Sequence, residues 1–466
     1  MIRHSRNCFR TLALGLVVLA AVSGAACSGP DAPVEAAWDD NEPLVVVSGA
    51  DLTSQEGVGT RQQLIDDWNE LHPKREVSLV ELPLAEDGQL SDLIASLQSG
   101  TADYDVLNLD TTWIPAFAEA DLIRPLDDAL VEGVNFLPEA VEAGRWEDGT
   151  YAVPFNTDVG LLYYREDLLT AQDHTREDLT EAVSMAELIG GWETGQDHSA
   201  LVTQLRPYEG LAVNILETFW SAEGGGVDVV DDDGDYTGSI EELTVGLDAL
   251  RSIADSGVLS PVSYEADEST ALAEFIDEDG GTALMRGWPY ALNRLPTNGE
   301  YGVATLPGEA VLGGQSLAVS ADSDRQADAE ELIRFLTRDV DNQRRLFDGG
   351  FAPALRDAYD LSDPDDPGCA STAVRIPARN EDEVAARSEG PTEFERDYHE
   401  LLWCALRDAE PRPATEYYPV FSETLRDEVS RMLDEPGEQS VEDTAEELHR
   451  RLPDALEGRL SPDDTE

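Results

Sequence analysis

Lysine is almost missing from this chain: Lys74 is the only one in 466 residues. Positive charge of any kind is scarce, with 31 Lys and Arg against 97 Asp and Glu, and the formal net charge is -66. A surface of that sign repels phosphate backbones and anionic headgroups, so nucleic acid is excluded as a partner. Such a chain stays soluble where salt screens its self-repulsion, which suits a salty external habitat. Histidine is sparse too: six are present, scattered and without metal-ligand spacing. No metal and no cofactor is expected. Long apolar runs are absent once the start of the chain is passed, so no transmembrane helix is expected there.

Cysteine is rare, and each of the four has a reading. Arg3, Arg6 and Arg10 precede the apolar stretch TLALGLVVLAAVS, and Gly24-Ala25-Ala26-Cys27 follows. Residues 1–27 read as a lipoprotein signal peptide, with Gly24 standing where Leu or Val is usual. Cys8 leaves with it, Cys27 is the lipidation candidate, and 28–42 has the composition of a flexible tether. The implied compartment is oxidising, so Cys369 and Cys404 are expected to form a disulfide.

What remains, about 430 residues, is long for one core and suits two domains. LVVVSG (44–49), EVSLVEL (76–82) and YDVLNLD (104–110) read as strands, and 58–71 and 87–100 between them as helices. That β-α-β-α-β order predicts a parallel sheet flanked by helices, with ligands beyond the carboxyl ends of the strands, where Ser48, Gly49 and Asp110 lie. Further helices are expected at 177–189, 209–222, 240–256, 268–277, 325–337, 340–347, 393–408, 418–433 and 440–450, and strands at 282–287 and 316–320. The tail 452–466 reads as disordered.

Catalytic and metal motifs fail on inspection. An EF-hand loop counted from Asp233 in DDDGDYTG puts Thr244 where the bidentate Glu belongs, so this is a solvated turn. Gly314-Gln315-Ser316-Leu317-Ala318 lacks the helix that follows a nucleophile elbow. His399-Glu400 lacks the second histidine of a zincin.

YAVPFNTDVGLLYYR (151–165) sets a polar knot, Asn156-Thr157-Asp158, between two apolar runs. It is either a turn or a grip on a polar ligand. Asp110 with Trp113, Trp288 in RGWPY, Gly314-Gln315 and Arg412 in Pro-Arg-Pro complete a set of aromatic faces, carboxylates, amides and a guanidinium. A pyranose asks for that set: its C–H faces stack on tryptophan, and its hydroxyls donate to carboxylates and accept from Arg or Asn.

Six stretches in order, YDVLNLDTTWIPAFAEADLIRPLD, YAVPFNTDVGLLYYRED, ALMRGWPYA, VLGGQSLAVS, RRLFDGGFAPALRDAY and RPATEYYPVFSETL, resemble the extracellular solute-binding proteins of sugar ABC importers. The similarity runs from about residue 43 to about 433 and is nearest to lipoproteins that bind trehalose, maltose and related α-glucosides. The resemblance implies a two-lobed α/β fold, each lobe a mainly parallel sheet flanked by helices, joined by a hinge. Lobe 1 would take 43–155 and 285–345, and lobe 2 156–284 and 346–451. It implies ligand contacts at Asp110, Trp113, Asn156, Asp158, Glu268, Trp288, Gly314, Gln315 and Arg412, the last holding hydroxyls. Glu56, Asp92 and Tyr208 are secondary candidates. It implies no chemistry, a monomer lipid-anchored outside the membrane, and an ABC permease as partner. Two other readings stay open: the same fold carrying a polyol or peptide, and a glycoside hydrolase using Asp110 with Asp158 or Glu268, about 5–10 Å apart.

Overall fold

A computed structural model describes residues 42–459 apart from 51–58, 83–85, 101–102, 193–198, 224–225, 232–233, 278–280, 298, 360, 362–368, 370–371, 378–390 and 435–438. Cys27 and Glu56 lie outside the described residues. Fourteen strands are present among those described: β1 (Leu44–Gly49), β2 (Val77–Leu82), β3 (Val106–Asp110), β4 (Arg145–Trp146), β5 (Gly149–Thr150), β6 (Ala152–Val159), β7 (Leu161–Arg165), β8 (Leu201–Val202), β9 (Leu284–Gly287), β10 (Tyr301–Thr305), β11 (Val311–Val319), β12 (Ala352–Pro353), β13 (Ala373–Arg375) and β14 (Glu410–Pro411).

They build two main sheets. The first has the order β12-β6-β11-β3-β1-β2, with β14 added on β11; the second runs β13-β10-β7-β9-β8. β1 pairs in parallel with β2 and β3, joined by the helices Thr60–Leu71 and Glu86–Gln98, as the β-α-β-α-β pattern predicts. Strands buried on both faces read as continuous apolar runs, and Val106, Leu107 and Leu109 are fully covered.

The expectation of mainly parallel sheets stops at that unit. β11 runs antiparallel to both β3 and β6, and the second sheet is mostly antiparallel. The reason lies in the chain path. β11 comes back from the second sheet and enters the first from the side where β3 ends, so it must run the opposite way.

The chain crosses between the sheets at short links. Val159 ends β6 in the first sheet, Leu161 starts β7 in the second, and only Gly160 stands between. A Cβ there would sit 2.4 Å from Glu217 Oε1 and 2.6 Å from Leu306 Cδ1, so only glycine fits. A second crossing joins β10 to β11 over 306–310, and a third leads from β12 toward β13. These pairings divide the 285–345 segment expected in lobe 1. Leu284–Gly287 and Tyr301–Thr305 belong to the second sheet, Val311–Val319 to the first. Likewise Asn156 and Asp158 still belong to the first sheet, because the crossing falls at Gly160 and not at 156.

Around the second sheet, the helices Glu209–Trp220, Ile240–Asp255, Tyr418–Asp434 and Val441–Ala455 pack on one another and share one core. Cys369 and Cys404 are joined by a disulfide across 35 residues, tying the loop before β13 to the helix Glu393–Arg407. Reducing it is expected to lower the denaturant midpoint as a loss of about 3–4 kcal/mol, because the reduced unfolded chain regains loop freedom.

Candidate functional site

Asn156-Thr157-Asp158 is not a turn: Ala152–Val159 is one unbroken strand. Its polar side chains face a row built by neighbours. β3, β11 and β6 lie side by side, and their register sets Asp110, Gln315 and Asn156 opposite one another, with Gly313 opposite Asp158. A bulge at Gln315/Ser316 follows Gly314, whose φ is +132° and whose Cβ position would lie 2.5 Å from the Asn156 carbonyl oxygen. A glycine is required there, and the bulge leaves Phe155 of β6 as the extra, unpaired residue. Gln315 Oε1 accepts from Asn108 Nδ2 (2.8 Å) and from Arg61 Nη2, while Arg61 Nη1 donates to the Gly49 carbonyl (2.9 Å).

Arg412 is the centre of a second cluster. Its Nη2 donates to both oxygens of Asp110, at 2.9 and 3.1 Å, and its Nη1 to Glu209 Oε1 at 2.8 Å. Glu209 also accepts from Tyr418 Oη (2.5 Å) and Ser422 Oγ (2.6 Å). Asp110 ends a strand of the first sheet, whereas Glu209 starts a helix packed with the second-sheet core, so the guanidinium bridges the two halves. Burial alone would lower the Arg412 pKa, but Asp110, Tyr418 and Glu209 more than offset it and hold it well above the usual value. Arg412, expected to hold ligand hydroxyls, is only 4% exposed and grips two carboxylates of the protein. A guanidinium buried that deeply requires partner charges. A cavity of about 90 Å³ opens beside this cluster, bordered by Trp113, Gln89, Asn108 and Gln315.

Trp288 joins the row from the second sheet. The Arg286 guanidinium lies 3.9 Å from its ring centroid and pairs with Glu217 through two bonds, 2.7 and 3.1 Å. Tyr163 Oη donates to the Trp288 carbonyl (2.9 Å), and the ring edge lies 3.4 Å from where a Gly313 side chain would begin. Trp288 therefore sits against the strand position that faces Asp158.

Asp158 is half-buried and accepts from Asn156 Nδ2 at 3.3 Å. Burial pushes its pKa up to about 7; Arg61 pulls it down, Asp110 raises it, and Arg286 and Arg412 lower it. The folded chain therefore keeps a proton between about pH 4 and 7 that the unfolded chain releases, so this group's contribution to stability falls as pH rises through that window. Asp158→Asn is expected to leave the melting temperature unchanged near pH 4. At pH 8 it should add about 1–2 kcal/mol, a figure reduced for the water that still reaches the group. Thermal melts across that range check it.

The remaining candidates fall less centrally. Glu268 begins the helix Glu268–Phe275; burial and then the charge of Glu268 hold Tyr290 well above the usual tyrosine value, with Asp158 adding to the effect. Tyr208 is buried before Glu209 with its ring on Arg206, which pairs with Asp267. Asp92 is exposed on Glu86–Gln98; from that helix Gln89 and Leu90, not Asp92, border the Asp110 cavity. Two larger cavities, of about 1040 and 1000 Å³, are both bordered by Trp220; the first also touches Glu217 and Arg286, and the second Asn156, Gly313 and Arg412. Missed in the sequence were Arg61, Asn108, Glu209, Glu217 and Tyr418. Glu209 carried one faint signal, an acid at a helix start, which reads equally as a favourable terminal charge.

Residues 63–370 match the family described as bacterial extracellular solute-binding protein. A protein of Deinococcus radiodurans described as a probable ABC transporter-binding protein is 30% identical over 300 residues, covering 61% of this chain and 70% of that one. A maltotriose-binding protein of Pyrococcus abyssi is 22% identical over 272 residues, 54% of each chain. The structure of maltose-bound T. maritima MalE3 superposes with a TM-score of 0.68 at 25% identity, covering 88% of this chain and 98% of that one. With a family match this long, and the two-sheet, multiply crossed architecture to go with it, the chain belongs to the bacterial extracellular solute-binding proteins.

Proposed function

We propose that this protein captures a sugar, such as maltose, trehalose or a related α-glucoside, between its two halves and delivers it to the membrane permease of an ABC importer. It does so as a monomer held at the outer face of the cytoplasmic membrane by a lipid on Cys27. The first lobe follows the first sheet, about 43–159 and 311–353 with β14, and the second lobe follows the second sheet and its helices, about 161–305 and the rest of 373–451. The observation that carries this reading is the row Asp110, Gln315, Asn156 with Asp158 and the Trp288 ring set against it. Side chains from both sheets meet there, with the hydrogen-bonding groups and the aromatic face that a pyranose needs.

Two cavities meet at Arg412: one of about 90 Å³ beside Asp110 and Glu209, and one of about 1000 Å³ bordered also by Asn156, Gly313 and Trp220. The larger has the volume of a small-ligand pocket, with room for a disaccharide. Closure then follows from the ligand's better contacts with the closed form. A thermal-shift panel of sugars, polyols and peptides tests the cargo. The right sugar at a hundredfold excess over its Kd adds about 2.7 kcal/mol. A response to peptides or polyols with none to sugars would overturn the assignment.

A further inference from the structure

Resting on the sugar-binding reading, we infer that the cleft also selects by charge: it admits polyhydroxylated ligands that are neutral or carry a protonated amine, and it refuses anionic ones such as sugar acids and sugar phosphates. The arginines at the site are spoken for within the protein. Arg412 faces two carboxylates, Asp110 and Glu209. Arg286 is gripped twice by Glu217. Arg61 donates to Gly49 and Gln315, and its charge acts on Asp158. Arg426, at the cavity rim, has an interaction of its own.

Unmet acceptors remain at the site. Asn108 Oδ1 and Asn156 Oδ1 are buried with no hydrogen-bond partner among the described residues, on side chains 6% and 2% exposed. Asn108 borders the Asp110 cavity, and Asn156 stands beside Asp158. Asp158 has no ion pair within 4.0 Å among the described residues. Set against these, Arg412 Nε and Arg61 Nε are buried N–H groups that make no hydrogen bond among the described residues, each on an arginine already engaged through its Nη atoms. Buried polar groups ask for partners of the opposite kind. Sugar hydroxyls and ammonium groups bring O–H and N–H donors to that set. A carboxylate or phosphate brings only acceptors, and meets Asp158 and Glu209 with like charge, which costs several kcal/mol at a desolvated contact. Burial, not a lack of nearby arginines, raises the pKa of Asp158, and a bound ammonium would favour its ionised form.

The net charge of -66 would repel anions from a distance whatever the cleft does, so the test is run in about 1 M NaCl, where the Debye length is about 3 Å. Titration calorimetry compares maltobionamide with maltobionate, which share a shape and differ in charge, and trehalose with 6-amino-6-deoxytrehalose. The expected result is maltobionate at least about tenfold weaker than its amide, with the amino sugar no weaker than trehalose. Asp158→Asn should narrow the gap between amide and acid. Equal binding of acid and amide in high salt overturns the inference, as does a gap left untouched by Asp158→Asn. If no neutral sugar binds, the sugar-binding reading itself fails and takes this inference with it.

Discussion

Removing one member of the buried Arg286–Glu217 pair should cost about 3–5 kcal/mol, because it leaves the other charge uncompensated in the interior. Arg286 is 2% exposed and Glu217 9%, so water does little to rescue either. Glu217 Oε1 also accepts from the backbone N–H of Val311, the first residue of β11, and the Gly160 crossing packs directly on it. The pair thus braces two of the chain's passages between lobes. Glu217→Leu is expected to show the full loss. The double variant Glu217→Leu, Arg286→Met should recover most of it, since apolar residues of similar volume replace buried ion pairs at little cost. Denaturant midpoints for the two singles and the double separate these outcomes. The double variant also removes the cation beneath Trp288, so its tryptophan emission should change even where stability returns.

Arg412→Met should cost less stability, about 2–3 kcal/mol, and more function. Asp110 and Glu209 are 29% and 20% exposed, and the water they meet screens part of their loss. Two carboxylates would nevertheless be left facing one another across the cleft with the bridging cation gone. Their repulsion opposes closure, so sugar affinity is expected to fall by about tenfold or more, at roughly 1.4 kcal/mol per tenfold. Adding Glu209→Gln should restore stability by removing the unpaired acid, while affinity stays low because the link between the lobes is still missing. Arg412→Lys is a poor rescue, since one ammonium cannot satisfy two carboxylates in the fork geometry that the guanidinium uses here. A fall in stability with unchanged sugar affinity would mean that Arg412 only holds the fold.

Much of the fold could be read along the chain, because local signals decide local elements. The expected helix at 240–256 appears as Ile240–Asp255, with Ser239 and Glu242 forming its capping box, and 393–408 appears as Glu393–Arg407, capped by Thr392. The helix expected at 177–189 is split into Arg176–Glu181 and Met185–Gly190, each with its own polar cap at Thr175 and Ser184. Sheet membership was not legible. β9 and β10 look like any buried strand, and nothing in their residues says which sheet they join.

The site divides along the same line. Asp110, Asn156, Asp158, Trp288, Gln315 and Arg412 stood out as polar or aromatic residues in apolar settings, and the fold brings them together. Glu209 and Arg61 did not stand out. Their partners lie 203 and 254 residues away in sequence, and among 97 acids one more carboxylate carries no signal. The partners of Arg412 were illegible for the same reason: its two carboxylates are assembled by folding and cannot be read from Pro-Arg-Pro.

Small-angle scattering tests the central claim most directly. The neutral sugar that raises thermal stability most is added at saturation, with binding verified on the same sample by calorimetry. Two lobes closing over a bound ligand predict a smaller radius of gyration and a shorter maximum dimension. A scattering profile that stays the same with the sugar demonstrably bound would contradict the hinged capture described here.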